Sequence, residues 1–248
     1  MEHTPEPGPR HILDGMSNVT LEIPHLRGCA WFDPQPPDPR LAAGEYGALA
    51  IHAGPPDVAF VEPMLRRRLS RLARGFFHCA QAVSPPGEVR VVFASRHGEA
   101  DRTLAILKDL AGSREVSPAL FSMSVHNAVA GLWSILKANR APATALAAGP
   151  DSFGWGLVEA AGALQVDPGV PVLFVYADEP LPEPWAAPGS QPGSQALALL
   201  LGGGEGPRLR FHMRADSPGP AGPAQAQEFL AAWRDGGGDW GRWRGSFE

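Results

Sequence analysis

Residues 89–111, VRVVFASRHGEADRTLAILKDLA, set the fold class. Val89 to Ser95 is a short β-branched and aromatic run without polar alternation, the pattern of a strand covered on both faces. Gly98 to Ala111 then reads as a helix. Strand, turn and helix in direct succession are the signature of an α/β fold.

The flanking segments extend the same pattern. Upstream, Met64, Leu65, Leu69, Leu72, Phe76, Phe77 and Ala80 recur at helical spacing, so one amphipathic helix is predicted from Glu62 to about Ala82, with Pro63 in its first turn. Its other face carries Arg66, Arg67, Arg68, Arg71 and Arg74, which suits either a solvated face or an acidic partner. Downstream, Ser117-Pro118 opens a helix that is irregular around Ser122 to His126. Ala143 to Ala148 is a strand of small residues, Pro150 to Leu164 a helix, and Val170 to Tyr176 an all-apolar strand. Ala196 to Leu201 and Pro207 to Met213 read as paired strands around a GGGEG turn, and Gln225 to Trp233 as the last helix. Val19 to Ile23 alternates as a first strand before the Pro-rich DPQPPDPR at 33–40. The expected organisation is a flexible leader over 1–17, a domain over 18–214, and a linker, short helix and Trp/Arg tail over 215–248. In the tail, Trp240, Arg242, Trp243 and Arg244 suit either disorder or stacking on a partner.

Composition narrows the function. The 248 residues carry 21 Lys+Arg against 26 Asp+Glu, a net charge of −5, which argues against general nucleic-acid binding. With 44% hydrophobic and 19% charged residues the chain can form a core. Two cysteines, Cys29 and Cys79, are too few for a secreted disulfide scaffold, so a reducing cytoplasm is expected. No apolar stretch approaches the ~20 residues that span a bilayer. The histidines at 3, 11, 25, 52, 78 and 212 show no metal-ligand spacing, so neither metal nor cofactor is expected.

One helix start could carry chemistry. In ATALAAGPDSFGWGLVEAA, residues 143–161, a small-residue strand passes through a tight turn, Gly149, Pro150, Asp151 and Ser152, into a helix. Such a turn leaves backbone N–H groups free for an anion or an oxyanion. No cysteine stands there to be activated. The plain reading is a helix cap, with proline in the first turn and an acid near the positive end. Ser152 is the only hydroxyl, and a Ser152–His126 pair for acyl transfer or hydrolysis is the enzymatic alternative. Arg96 and His97 follow a buried strand, where α/β sheets often bind ligands, and Arg96 suits a carboxylate or phosphate as well as a solvated turn.

Four stretches in order, VVFASRHGEADRTLAIL (91–107), SPALFSMSVHNAVAGLWSI (117–135), the 143–161 segment and VLFVYADEPLP (172–182), together with RRRLSRLARG (66–75), resemble the β-ketoacyl synthase-like N-terminal domain family. The resemblance runs from about residue 60 to about residue 202. Members are often chain-length-factor-like proteins of aryl polyene clusters. It implies a thiolase-like fold, here approximately the N-terminal half with a mixed five-stranded sheet and flanking helices. It also implies that the condensing cysteine would fall at or next to Pro150, where no nucleophile stands. Ser124, His126 and Asn127 match a segment lining the acyl pocket and dimer contact, although His126 also suits a simple hydrogen-bonded helix start. The implied role is a non-catalytic partner of a ketosynthase or acyl carrier protein, with Arg66, Arg67 and Arg71 as carrier-protein contacts and helix faces that favour oligomerisation. A structural homo-oligomer is the third reading.

Overall fold

A computed structural model of the chain describes residues 19–186, 193–214 and 224–248. The expected leader, and parts of the linkers near 187–192 and 215–223, lie outside the described residues.

Two sheets organise the fold. The strands are β1 (Thr20–Ile23), β2 (Leu26–Asp33), β3 (Gly44–Tyr46), β4 (Leu49–Ala53), β5 (Arg90–Ala94), β6 (Ala143–Leu146), β7 (Val172–Asp178), β8 (Ser194–Leu201), β9 (Leu209–Met213), β10 (Gly237–Trp240) and β11 (Trp243–Phe247). The helices are α1 (Pro63–Arg66), α2 (Arg71–Val83), α3 (Ala100–Ala111), α4 (Pro118–Ser122), α5 (Ala128–Leu136), α6 (Ser152–Val166) and α7 (Ala224–Asp235). The larger sheet has the order β3-β4-β2-β8-β7-β5-β6 and the smaller β1-β9-β11-β10. β7, β5 and β6 run parallel, whereas β8 is antiparallel to both β2 and β7. This is the mixed α/β architecture that the resemblance implies, with seven strands in the main sheet instead of five.

The central strands are apolar on both sides because both sides are covered. In β7, Val172, Phe174 and Tyr176 face one core and Leu173, Val175 and Ala177 the other. One core packs α2 and α5 on the sheet, with Phe76, Phe77, Phe93 and Trp133 in edge-to-face contact. The other packs α6 and α7, with Phe153, Phe174 and Phe229 at its centre.

Three expectations are corrected. The helix predicted from Glu62 to Ala82 is two helices, because the Ser70 hydroxyl accepts the Ala73 N–H at 3.0 Å and caps a new start at Arg71. Helical spacing continues across this break, which hides it from periodicity. The strands around GGGEG do not pair: β8 is buried along its whole length, as an inner strand must be, while β9 buries only Leu209, Phe211 and Met213 and joins the smaller sheet. The Trp/Arg tail is a hairpin, and Trp240 and Trp243 are fully buried against Phe211 and Phe229. Its two-residue loop begins with Gly241 at φ 64°, the conformation such loops require and glycine supplies. The helix over 117–136 is interrupted as predicted, between α4 and α5. No helix among the described residues is long and apolar enough to cross a membrane.

The hairpin fixes where α6 sits, through Gly154. A Cβ at this position would lie 2.0 Å from Nε1 of the buried Trp243. We expect Gly154→Ala to lower stability by about 1–3 kcal/mol through overpacking. Gly162, on the same helix, faces open space, with nothing within 4 Å of where a Cβ would stand, and Gly162→Ala should stabilise by about 0.5–1 kcal/mol. Urea denaturation of the two variants checks the pair, and equal effects would disprove the close approach.

Candidate functional site

The turn between β6 and α6 is built as the sequence suggests. Gly149 takes a left-handed φ of 57°, residues Gly149–Asp151 form a single 3-10 turn, and α6 starts at Ser152. The Ser152 hydroxyl is buried, accepts the Ala148 N–H at 2.9 Å and donates to the Gly149 carbonyl at 2.8 Å. Its hydrogen atom and a lone pair are thus both engaged in closing the turn. Asp151 accepts from the Gln225 amide at 2.9 Å and pairs with Arg242 at 2.9 Å. Gln225, itself fully buried, accepts the Gly154 N–H at 2.9 Å through its own amide oxygen. A donor of the helix start is therefore satisfied from α7, the acid is neutralised from the hairpin loop, and Trp243 lies over Gly154. Side chains from the C-terminal part of the chain thus cover the start of α6.

His126 is engaged elsewhere. Its Nε2–H donates to the Ser95 carbonyl at 3.0 Å and its ring lies 5.5 Å from that of Phe93. Among the described residues no hydrogen bond joins it to Ser152. Ser124 bonds back to the Phe121 carbonyl at 2.8 Å, and Asn127 is exposed at the start of α5. These residues share the surface around Val125 with the exposed Phe121.

At the carboxyl ends of β5 and β7 a buried polar network forms that the sequence does not announce. The Asp178 carboxylate accepts the Ser95 hydroxyl at 2.9 Å, the Arg96 backbone N–H at 2.9 Å and the Tyr176 hydroxyl at 2.6 Å. Burial pushes the Asp178 pKa up, although these three hydrogen bonds pull the other way. Ser95 also accepts the Gly98 N–H at 2.8 Å, which shapes the turn carrying Arg96 and His97. Arg96 thus contributes its backbone to this network. Burial lowers the His97 pKa, and His97 lines a shallow cavity of about 300 Å³ with Ala100, Thr103, Leu181 and Trp185. Glu179, which follows Asp178, is pushed up to about 7 by burial, with Glu99 and Asp101 adding repulsion. Glu99 is held by the Ser70 hydroxyl at 2.6 Å and by Arg102 at 2.8 Å.

The helix break divides the basic residues between α1 and α2, with Arg74 donating back to the Arg66 carbonyl at 2.8 Å. Arg66 ends α1, Arg67 caps it, and Arg71 opens α2, where it pairs with Asp33. Arg67, Arg68 and Arg71 are exposed. Cys29, His52 and His78, from β2, β4 and α2, meet with one donor atom each within 4.8 Å of the others. No sequence spacing signals that cluster, because it is made by strand register and by helix packing.

Comparison with known proteins identifies the frame. The family model described as "Beta-ketoacyl synthase, N-terminal domain" matches residues 42–234, beyond both ends of the stretch that carries the resemblance. Among solved structures, a chain from the complex of the ketosynthase ApeO with its chain length factor ApeC, from Xenorhabdus doucetiae, is 26% identical. The alignment covers 92% of this chain and 100% of that one with a TM-score of 0.69. The ishigamide ketosynthase/chain length factor is 20% identical over 68% of this chain and 56% of its own, with a TM-score of 0.48. No curated relative matches. With the family model spanning well over half of its residues, the chain belongs to the β-ketoacyl synthase N-terminal domain family.

Proposed function

We propose that this protein is a non-catalytic, chain-length-factor-like partner of a ketosynthase in a type II fatty-acid or polyketide-like pathway of the aryl polyene kind. The observation that carries the reading is the closed turn at the head of α6. By the resemblance the condensing cysteine would fall at or next to Pro150, and the nearby Ser152 hydroxyl is buried and bonded on both sides. Nucleophilic catalysis needs an accessible, activated atom, and the turn offers none. Support comes from the relative of comparable length that occurs in a ketosynthase–chain length factor complex.

The surface suited to the ketosynthase is the β6 edge. Among the described residues β6 pairs only with β5, as the last strand of the sheet. The carbonyls of Pro142 and Leu146 receive N–H groups from the β5 segment, so by strand alternation the N–H and C=O groups of Ala143 and Ala145 point outward. An open edge of this kind is a template for strand addition by a partner. Phe121 at the end of α4, Val125 in the turn before α5 and Ile135 on α5 are exposed, the last 76%, and offer apolar area to a partner. Arg66, Arg67 and Arg71 are the contacts suited to the acidic carrier protein, with Arg67 and Arg71 exposed, and such binding is weak and strongly salt-dependent.

Co-expression with the ketosynthase encoded beside it should give a stable hetero-oligomer by light scattering, and separate elution of the two proteins would sink the proposal. Ala145→Pro removes one outward N–H and leaves the β5 ladder intact. It should weaken the complex about tenfold, the equivalent of one or two hydrogen bonds. Unchanged binding by the folded variant would exclude this edge. Incubation with acyl thioesters should leave the intact mass unaltered, whereas stoichiometric acylation within residues 149–153 would restore Ser152 as a nucleophile.

A further inference from the structure

A mixed sulfur and nitrogen donor set lies at the opposite side of the main sheet from β6. β2 supplies Cys29, β4 supplies His52, and α2, which packs over these strands, supplies His78. The three side chains present Sγ, Nδ1 or Nε2 atoms all within 4.8 Å of one another. Nδ1 of His52 and Nε2 of His78 are 2.6 Å apart. The Cys29 thiol is fully buried, and its contacts are weak ones: the carbonyl of Ala30 at 4.0 Å and the neighbouring thiol of Cys79. We propose that Cys29, His52 and His78 form a binding site for a divalent transition-metal ion of the zinc class.

The donor chemistry favours such an ion. One thiolate and two imidazoles are the ligands zinc takes, whereas magnesium and calcium require oxygen. Tetrahedral coordination with bonds of about 2.0–2.3 Å sets donor atoms roughly 3.3–3.6 Å apart. The two nitrogens must therefore separate by under about 1 Å and the sulfur must close by about as much. Both histidines are half-buried and free to make that adjustment, while Cys29 is fixed in β2 by pairing on both edges.

The hydrogen bonds around His78 accommodate both states. Without metal, the Asp57 N–H donates to Nδ1 of His78 at 2.9 Å, so Nε2 carries the proton and donates it to His52. With metal, the His78 proton moves to Nδ1, where the Asp57 carbonyl stands 3.3 Å away and accepts it. Nε2 is then free to ligate, and the exposed Asp57 N–H turns to water. A ligating histidine whose other nitrogen donates to a backbone carbonyl is the usual outer-shell arrangement. The only proton released is that of the Cys29 thiol, as the metal–sulfur bond forms. A groove of about 250 Å³ whose lining includes Cys29, His52, Arg27 and Glu45 lies beside the donor set. Cys79, the other buried thiol, points toward the Ala196 carbonyl at 3.6 Å and lies outside the donor set.

The site is independent of the ketosynthase reading and is tested on the full, tag-free chain after dialysis against chelator. Cobalt(II) titration should give the visible bands of tetrahedral cobalt and a near-ultraviolet thiolate charge-transfer band, both displaced by zinc. Cys29→Ala should abolish the charge-transfer band, His52→Gln and His78→Gln should each weaken cobalt binding at least about tenfold, and Cys79→Ala should leave the spectrum unchanged. Circular dichroism of the metal-free variants establishes that each is folded. If Cys29→Ala fails that check, the histidine variants decide alone. Absence of cobalt bands in the wild-type chain, bands that persist in folded Cys29→Ala, or affinity unchanged in both histidine variants would overturn the site.

Discussion

The antiparallel insertion of β8 between β2 and β7 holds the two parts of the main sheet together. Every residue from Ser194 to Leu201 is buried, and the strand is paired along its whole length with β2 and from Gln195 to Leu201 with β7. Its four leucines divide between the two cores, each contributing about 1.5–3 kcal/mol on burial. Because β8 joins the early strands β2 and β4 to the parallel β5–β7 group, helices from both parts of the sequence meet over one sheet. Gly75 lets α2 approach this seam: a Cβ there would lie 2.6 Å from Trp31.

The second consequence concerns the head of α6. The turn between the small-residue strand β6 and α6 is packed from in front by the C-terminal part of the chain. Gln225 takes up the Gly154 N–H, Arg242 neutralises Asp151, and Trp243 covers Gly154. The hairpin is held in turn by β11 pairing with β9 and by the buried contacts of Trp240 and Trp243. The same residues therefore stabilise the smaller sheet and close the turn. Among the described residues β6 ends the main sheet, so the closed turn and the sheet edge are separate features of the same β6–α6 unit.

At the far side, Cys29, His52 and His78 illustrate how a donor set arises without a motif. β2 and β4 are parallel neighbours with Cys29 opposite Ala50, which brings His52 close to the thiol, and α2 lays His78 across both. The buried network around Asp178 has the same origin. Tyr176 and Asp178 lie two apart on one face of β7, and the parallel pairing with β5 delivers Ser95 beside them.

Short windows of sequence suffice for the α/β class, for the positions of β5, β7 and most helices, and for the absence of a cysteine at the Pro150 turn. These rest on local signals: apolar runs, helical spacing, capping residues and residue identity at a single turn. Local signals also account for the errors. Leu26 to Asp33 carries an arginine and runs into prolines, so β2 is not evident until β8 is laid beside it. The WGRW segment is a two-residue hairpin signal masked by the surrounding glycines, and the core that receives both tryptophans is what distinguishes a hairpin from a loose tail. Which partners Ser152, His126 and Asp151 take, and which cysteine and histidines meet, is settled by the assembled sheets and helices alone. Those contacts reach between elements far apart in the chain and depend on register and crossing geometry, which no short window of sequence encodes.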